Sequence, residues 1–200
     1  MRLTRSLNNP RHSIRFSNMK NFISILVTGS ILFISSLTNA ACETAIIEEE
    51  FSTPNGQLLD NGNGTITDIA SSLMWIQCSE GQTYGDSLCD GGLVKSNWPE
   101  ALSSPSVLNS NGGFAGHADW RLPNIKELRS LVEEACFNPS INIDRFPETE
   151  NTIYWSSTSS ISAPSGETPL GSWSVNFFDG ASEISSRAEV NAVRLVRDIL

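Results

Sequence analysis

The pattern of apolar and polar positions after residue 57 begins with a predicted β-hairpin. Strand-forming residues occupy positions 65–67 and 73–76, and the polar and small residues 68–72 between them can turn the chain. A helix is predicted next, because Asn97 is a good N-cap and Glu100 follows three residues later. Pro105 is expected to limit the length of that helix.

The stretch DWRLPNIKELRSLV, residues 119–132, predicts a corner where extended chain turns into a second helix. Pro123 favours extended backbone at the residue before it, and Asn124 with Glu127 makes a candidate capping box. Apolar side chains at positions 125, 128, 131, 132 and 135 then share one helical face. The helix is therefore expected to end near Cys136.

Large side chains near this corner are interpreted as its structural frame. Trp120 is expected to pack under a sheet beside Trp155 or Trp173. Arg121 needs a partner if its guanidinium is buried, and Glu127 or a set of backbone carbonyls would serve.

The last part of the chain is predicted to be β-structure. One strand is expected at 152–158, and a hairpin at 173–187 turns at Asp179-Gly180. Residues 191–200 carry apolar side chains on both faces, which is typical of a strand inside a sheet. Two early helices and a late antiparallel sheet predict an α+β domain.

The first 40 residues have the composition of a secretory signal peptide. They contain five basic and no acidic residues, then an uncharged run at 22–37 and a small-residue exit at Ala40. The run is shorter than the roughly 20 residues that span a bilayer, so cleavage near Ala40 is favoured over an uncleaved membrane anchor. A more typical signal begins at Met19, which leaves the start codon open between Met1 and Met19.

The net charge becomes more negative when the 40 leader residues are left out. The whole chain has 13 Lys and Arg against 22 Asp and Glu, and residues 41–200 retain 8 and 22, a net charge of −14. Such a charge opposes binding to nucleic acid, heparin-like polyanions and anionic lipid. The predicted organisation is a signal peptide at 1–40, an extended acidic segment at 41–57 and one domain at 58–200, without membrane insertion after cleavage.

Four cysteines follow the leader, which predicts two disulfides in an oxidising compartment. Three pairings are open; Cys78 and Cys89 bracket a Gly-rich loop that can close on itself, and Cys42 would then pair with Cys136. Zinc is disfavoured, because the spacing is not CxxC and His117 is the one histidine after the leader. Lipidation of Cys42 is disfavoured too, because the residue three places earlier is not Leu-like.

A weaker alternative is a calcium loop around residues 60–68. Its candidate ligands are Asp60, Asn61, Asn63 and Asp68. Gly62 and Gly64 occupy the third and fifth places, where an EF-hand loop needs ligands, so a simple turn is favoured. No cofactor is therefore expected, with calcium as the secondary hypothesis.

The order of several short motifs resembles a known family. The motifs are NGNGTITD, LMWIQC, the loop CSEGQTYGDSLC, AGHADWRLPNIKEL, YWSST and NAVRLVR. From about residue 58 to 197 they resemble the C-terminal domain of the Legionella collagen-like adhesin, a family long catalogued as a domain of unknown function. The resemblance implies a C-type lectin-like fold, in which two helices flank a small twisted antiparallel sheet.

The same resemblance implies adhesion, since the namesake binds sulfated polysaccharides and assists attachment. This sequence departs from that pattern in having no collagen-like stalk. The sequence after the leader is acidic and lacks the Arg and Lys clusters that a sulfate binder needs. Residues 159–171 lack the Glu-Pro-Asn and Trp-Asn-Asp motifs by which calcium-dependent lectins hold sugars.

Catalysis is not expected. There is no GxSxG motif, and His117 lies in a Gly-rich link. The related formylglycine-generating enzymes bind copper with a pair of late cysteines, and this sequence has no cysteine after Cys136. The expected function is a non-enzymatic recognition module, secreted, periplasmic or on the cell surface, that binds a glycan or a surface protein. Candidate ligand residues on its loops are Tyr84, Asn151, Glu167 and Asp179. The alternative is a structural or partner-binding subunit of an envelope assembly with no sugar ligand.

Overall fold

The computed structural model describes residues 56–162 and 170–199. The predicted signal peptide at 1–40, the predicted acidic segment up to residue 55, which contains Cys42, and the candidate Glu167 lie outside these ranges. Within the described part of the chain, no helix has the length and apolar character needed to cross a membrane. The elements are β1 Leu58–Asp60, β2 Thr65–Asp68, β3 Leu73–Ile76, β4 Thr83–Gly85, β5 Leu88–Asp90, α1 Trp98–Ser110, α2 Ile125–Arg129, β6 Ile153–Ser159, β7 Gly171–Asn176, β8 Ala181–Ser186 and β9 Val196–Asp198.

Three small antiparallel sheets and two helices make the observed architecture α+β, as predicted. The largest sheet has the order β1-β2-β3-β9, and β4 pairs with β5 alone. The predicted first hairpin is confirmed, because Thr65 pairs with Ile76 and Asp68 pairs with Leu73. Ile66 and Trp75 lie opposite each other, and both are fully buried, so this hairpin presents one face to the core.

The second sheet has the order β6-β7-β8 and contains the predicted C-terminal hairpin. Asn176 pairs with Ala181, so the chain turns through residues 177–180. The Asp179 carboxylate accepts a hydrogen bond from the Ala181 N–H at 3.0 Å, and Gly180 has a φ of +77°. Glycine adopts that left-handed backbone without steric cost, which explains the turn signal in the sequence.

Helix α1 runs through Pro105, so the prediction that this proline would limit the helix is wrong. Proline has no N–H to donate to the carbonyl four residues earlier, that of Ala101. The Ser104 hydroxyl donates to that carbonyl instead, at 3.3 Å. Asn97 and Glu100 form the predicted capping box, which fixes the start of the helix.

Helix α2 is also capped as predicted, but it ends at Arg129 rather than near Cys136. Beyond it, Val132 forms a β-bridge with Ile141, and the Glu133 N–H donates to the Ser140 carbonyl at 3.2 Å. Leu131 and Val132 reach the core through this folded-back segment, whereas the side chain at position 135 is exposed. Tertiary pairing has therefore overridden the helical periodicity of the sequence.

The predicted C-terminal strand is shorter than expected, but Val196 is bonded on both sides, by β3 and by Arg121, as in an internal strand. Strand β9 has three residues and stands at the end of its sheet order, paired with β3. Its other side carries Arg121, whose N–H and carbonyl both bond to Val196, at 2.8 and 3.0 Å. The preceding residues are apolar on both sides because they pass between two hydrophobic clusters: Ala192 faces one, and Val193 and Leu195 face the other.

Those two clusters form the interior. The first is built around Ile66, Trp75, Leu128, Phe146, Tyr154 and Phe177. The second is built around Trp120, Leu122, Trp155, Val193 and Leu195, with Trp98, Leu108 and Phe114 packed against it. Trp120 and Trp155 therefore share one cluster, as predicted, whereas Trp173 is only half-buried on β7.

Candidate functional site

The disulfide hairpin of β4 and β5 is tied to the end of β3. Cys78 and Cys89 are bonded, with their Cα atoms 5.4 Å apart, which confirms the pairing favoured from the sequence. Tyr84 lies opposite Cys89 in the hairpin, so the disulfide fixes the strand that carries this aromatic side chain. The second predicted bond, between Cys42 and Cys136, involves a cysteine outside the described residues.

A partly open cavity of about 330 Å³ lies beside this hairpin. Its apolar walls come from β3, the end of α1, the Gly-rich link and the segment before β9. The lining residues are Ile76, Cys78, Ser79, Glu80, Gly81, Gln82, Thr83, Tyr84, Leu108, Phe114 and Leu195. Pockets of this kind, apolar with a few convergent polar groups, are the usual form of a small-ligand site.

Two aromatic side chains of the cavity meet over Gly64. A Cβ atom at Gly64 would lie 2.8 Å from Cγ of Tyr84 and 2.9 Å from Cζ of Phe114. The same glycine has a φ of +82°, a backbone conformation that L side chains rarely adopt. Gly64 thus lets both rings approach the turn before β2, and a side chain at this position would displace them.

Phe114 is held by the turn that follows helix α1. Its N–H and carbonyl bond to the carbonyl and N–H of His117, at 2.9 and 3.0 Å. Its ring packs edge-on against Trp120, with ring centroids 6.3 Å apart. The Trp120 indole N–H donates to the carbonyl of His117 at 3.0 Å, so His117 stabilises this turn through its backbone.

Among the described lining residues, Glu80 supplies the one ionisable carboxyl. Its backbone is fixed on both sides, because its N–H donates to Val193 and its carbonyl accepts from Val94, both at 2.9 Å. Burial raises the pKa of the Glu80 carboxyl, and the nearby Ser104 side chain partly opposes that rise. Its Oε2 atom is buried without a hydrogen-bond partner in the described part of the chain.

Ser79, one of the lining residues, belongs to a polar network that extends into the interior. The Ser79 hydroxyl lies 2.8 Å from the Tyr154 hydroxyl and accepts a hydrogen bond from Arg194 at 3.1 Å. Arg194 is fully buried, and its guanidinium lies 4.8 Å from the ring centroid of Phe146. Gln82 accepts from the Ser79 N–H at 3.0 Å, which ties the disulfide loop to this network. These bonds hold Ser79 and the start of the disulfide loop in place, although Nε and Nη1 of Arg194 have no hydrogen-bond partner within the described residues.

The corner DWRLPN is joined to helix α2 and strand β9 by two sets of ion pairs. Arg121 binds Glu127 through two contacts, at 2.8 and 3.0 Å, and reaches Asp198 at 2.9 Å. Asp119 receives two hydrogen bonds from Arg197, at 2.7 and 3.0 Å, and this guanidinium holds the pKa of the Asp119 carboxyl below its usual range. The predicted pairing of Arg121 with Glu127 is present, although the Arg121 side chain is half-buried rather than buried.

The remaining candidate ligand residues lie outside the cavity lining. Asn151 donates from its amide to the Asn138 side chain, and the Asn138 N–H donates to the Phe178 carbonyl at 3.0 Å. Asn151 therefore neighbours the turn that holds Asp179, and Tyr84 is the member of the predicted set that lines the cavity. Glu167 lies outside the described residues.

Sequence reasoning missed Glu80, Gln82, Leu108 and Phe114 as site residues. Glu80 and Gln82 lie within the predicted disulfide loop, which was the one available signal. Leu108 and Phe114 reach the site from helix α1 and the link after it, and local sequence pattern carries no sign of this contact.

The four calcium candidates serve as turn residues in the structure. Asp60 accepts from the Gly62 N–H at 2.8 Å, and Asn63 accepts from the Thr65 hydroxyl at 2.6 Å. Asn61 donates to the hydroxyls of Thr65 and Thr67, and buried Asp68 accepts from the Ala70 N–H at 3.0 Å. Across residues 56–162 and 170–199, no three His, Cys, Asp or Glu side chains are grouped to hold a metal ion.

Comparison with known proteins gives one family match. The family model for the Lcl C-terminal domain matches residues 64–197. This range includes the turn at Gly64, the disulfide hairpin, the cavity lining and the corner at 119–127. The comparison with curated proteins found no match.

Proposed function

Because this chain belongs to the Lcl C-terminal domain family, we propose that it is an extracellular recognition module whose ligand binds in the cavity beside the disulfide hairpin. Family membership relates the chain to an adhesin. The ligand proposed for it is a glycan. The cavity carries the proposal, because it combines two aromatic rings, three aliphatic side chains and a small set of polar groups.

The chemistry of the cavity suits sugar recognition. Aromatic rings such as Tyr84 and Phe114 offer apolar faces on which the C–H face of a sugar ring can pack. Ser79, Gln82 and Thr83 supply hydroxyl and amide groups that can donate to and accept from sugar hydroxyls. A preformed site lowers the entropic cost of binding, and the disulfide and the Ser79 network both favour one.

The charge of the chain narrows the class of glycan. Residues 41–200 have a net charge of −14, and the lining residues that the structure describes include no Lys, Arg or His. Sulfated polysaccharides, which the namesake of the family binds, would be repelled by this charge. The proposed ligand is therefore a neutral or cationic glycan.

Recognition without catalysis is part of the proposal. The Ser79 hydroxyl is engaged by Tyr154 and Arg194, and neither of these groups is positioned to serve as its general base. Glu80 is a single carboxyl, whereas hydrolysis of a glycosidic bond ordinarily uses a pair.

Export and the C-type lectin-like fold belong to the same proposal. The Cys78–Cys89 disulfide supports export, since such bonds persist in oxidising compartments. Two helices beside small antiparallel sheets are compatible with the fold implied by the family resemblance.

A second candidate is a partner-binding subunit of an envelope assembly. It is favoured by the exposed aromatic pair Phe137 and Phe178, whose ring centroids are 4.5 Å apart. Their exposed fractions are 54 % and 41 %, which leaves apolar area available to a protein partner.

A glycan array followed by calorimetry would test the proposed function. The wild-type domain is screened with and without calcium, and its best ligand is titrated into Tyr84→Ala and Phe114→Ala. Both variants are expected to lose at least about tenfold in affinity, because each removes an aromatic wall of the cavity. Leu88→Ala, an exposed residue on the same hairpin, is the matched control and should bind as wild type does. No glycan bound in any condition, or full affinity in Tyr84→Ala, would contradict the proposal.

A further inference from the structure

We propose that the cavity selects an amino sugar with a free ammonium group, which pairs with Glu80 while its ring packs against Tyr84 and Phe114. This inference rests on the proposed function, because it assumes that the cavity is the ligand site. It adds the chemical feature of the ligand by which the site would discriminate one sugar from another.

The charge of the lining is the first reason. Glu80 lines the cavity, and none of the other described lining residues is ionised at neutral pH. One oxygen of its carboxylate, Oε2, is buried without a hydrogen-bond partner in residues 56–162 and 170–199. Glu80 as a whole is half-buried, and a partly desolvated carboxylate without a counter-charge is destabilised, a cost that a ligand cation would offset.

The fixed position of Glu80 is the second reason. Its backbone N–H bonds to Val193 and its carbonyl to Val94, so the segment is held between two other parts of the chain. Its neighbour Ser79 is anchored by hydrogen bonds to Tyr154 and Arg194. The backbone that carries the Glu80 side chain is therefore fixed beside the cavity.

The aromatic rings are the third reason. A cation within about 6 Å of an aromatic ring centroid is attracted by the ring quadrupole. Tyr84 and Phe114 both line the cavity and are brought together over Gly64. A cavity of about 330 Å³ is at the lower end of the range of roughly 300–1,000 Å³ for ligand pockets, so a short segment of the ligand is buried.

The electrostatic field of the whole chain also favours a cationic ligand. A net charge of −14 over residues 41–200 raises the local concentration of cations and disfavours sulfated or carboxylated sugars. Burial also raises the pKa of Glu80, so binding of an ammonium group should weaken as the pH falls through that pKa.

The test compares two probes that differ only at the amine: a β-linked glucosamine tetramer and its fully N-acetylated counterpart. Acetylation removes the charge and leaves the sugar ring unchanged. By calorimetry, the wild-type domain is expected to bind the amine form about tenfold more tightly, the factor expected for one hydrogen bond to a charged group. This preference should shrink as ionic strength rises from about 0.01 M to about 1 M.

Two variants test whether the preference for the amine form arises at Glu80 in the cavity. Glu80→Gln keeps the shape of the side chain and should lose the preference for the amine form, while its affinity for the acetylated tetramer should change little. Glu189→Gln makes the same chemical change at an exposed site and should leave both affinities unchanged. Thermal unfolding of each variant establishes that it is folded, and the wild-type comparison of the two probes does not depend on any variant.

The outcomes separate this inference from the proposed function. Equal affinity for both probes, lost in Tyr84→Ala but unchanged in Glu80→Gln, would overturn the ammonium inference and leave the cavity as a glycan site. Absence of binding by either tetramer would overturn the inference as well, and it would overturn the proposed function only if the glycan array were also empty. Binding of a lysine peptide, but of neither tetramer, would show that the site takes a protein amine instead.

Discussion

A double-mutant cycle on Arg121 and Glu127 should give a coupling free energy of about 1–2 kcal/mol in favour of the native pair. This pair joins the corner before helix α2 to the start of that helix. The Glu127 carboxylate accepts from Arg121 at 2.8 and 3.0 Å and from the Asn124 N–H at 2.8 Å. Glu127 thus connects the ion pair to the capping box.

The expected magnitude follows from the exposure of the two side chains. Exposed ion pairs contribute about 0.2–1 kcal/mol, whereas hydrogen bonds to charged groups contribute about 1.5–3 kcal/mol. The side chains of Arg121 and Glu127 retain 36 % and 18 % of their exposure, so the pair lies between these cases. Asp198 shares the guanidinium and keeps part of the interaction when Glu127 is changed, which lowers the coupling further.

The assay is urea unfolding of the wild type, Arg121→Met, Glu127→Gln and the double variant, analysed as two-state transitions. Glu127→Gln retains an oxygen that can accept from the Asn124 N–H, so the helix cap is preserved. The control cycle uses Lys95 and Glu150, which are 3.7 Å apart with side-chain exposures of 37 % and 48 %. That pair is expected to give less than about 0.5 kcal/mol.

A coupling at Arg121–Glu127 no larger than that of the control pair would refute this reasoning. It would mean that packing of Trp120 and the two backbone bonds to Val196 hold the corner without help from the ion pair. Intermediate values that fall with added salt would instead be consistent with a half-exposed pair.

Three further predictions concern the site and its frame. Gly64→Ala should destabilise the fold by about 1–2 kcal/mol through its left-handed backbone and should also weaken ligand binding, because the new Cβ displaces Tyr84 and Phe114. Gly62→Ala, with a φ of +69° and open space around it, is the control that should lose stability but keep affinity in the same urea and calorimetry experiments. Replacing Cys78 and Cys89 together by Ser should lower the free energy of unfolding by about 2–3 kcal/mol, measured by urea unfolding; a loss under about 0.5 kcal/mol would contradict the role given to the bond. Asp119→Asn should lower stability at neutral pH by less than about 1 kcal/mol, since Asp119 is largely exposed. Because Arg197 depresses the pKa of folded Asp119, the native carboxylate stabilises the fold above the unfolded pKa, and this contribution is lost as the pH falls through the folded pKa. The two proteins should therefore converge at low pH, and a difference that persists there would point to lost packing instead.

The features that could be predicted from the sequence depend on neighbours in the chain. The capping box of Asn124 and Glu127 spans three residues, and the first hairpin is defined by two short strands with a turn between them. The Cys78–Cys89 bond closes a loop with a sequence separation of 11. In each case the physical cause lies within about a dozen residues, so the sequence carries it directly.

The features that could not be predicted depend on distant partners. Helix α2 stops early because Val132 pairs with Ile141, and helix α1 passes Pro105 because the Ser104 hydroxyl replaces a missing donor. The cavity requires Glu80, Leu108 and Leu195 to meet, and these belong to three separate segments. A lone glutamate in a polar loop gives no local sign that the fold will place it, half-buried, beside a cavity.

The most direct test of the cavity as a ligand site is a heteronuclear NMR titration of the wild-type domain with the best ligand from the glycan array. The account predicts that the largest chemical-shift changes fall on the backbone amides of Gly64, Glu80 and Tyr84, and that they saturate together with one affinity. Saturating changes confined to another surface, such as the turn at Asp179, would contradict it, as would an unchanged spectrum.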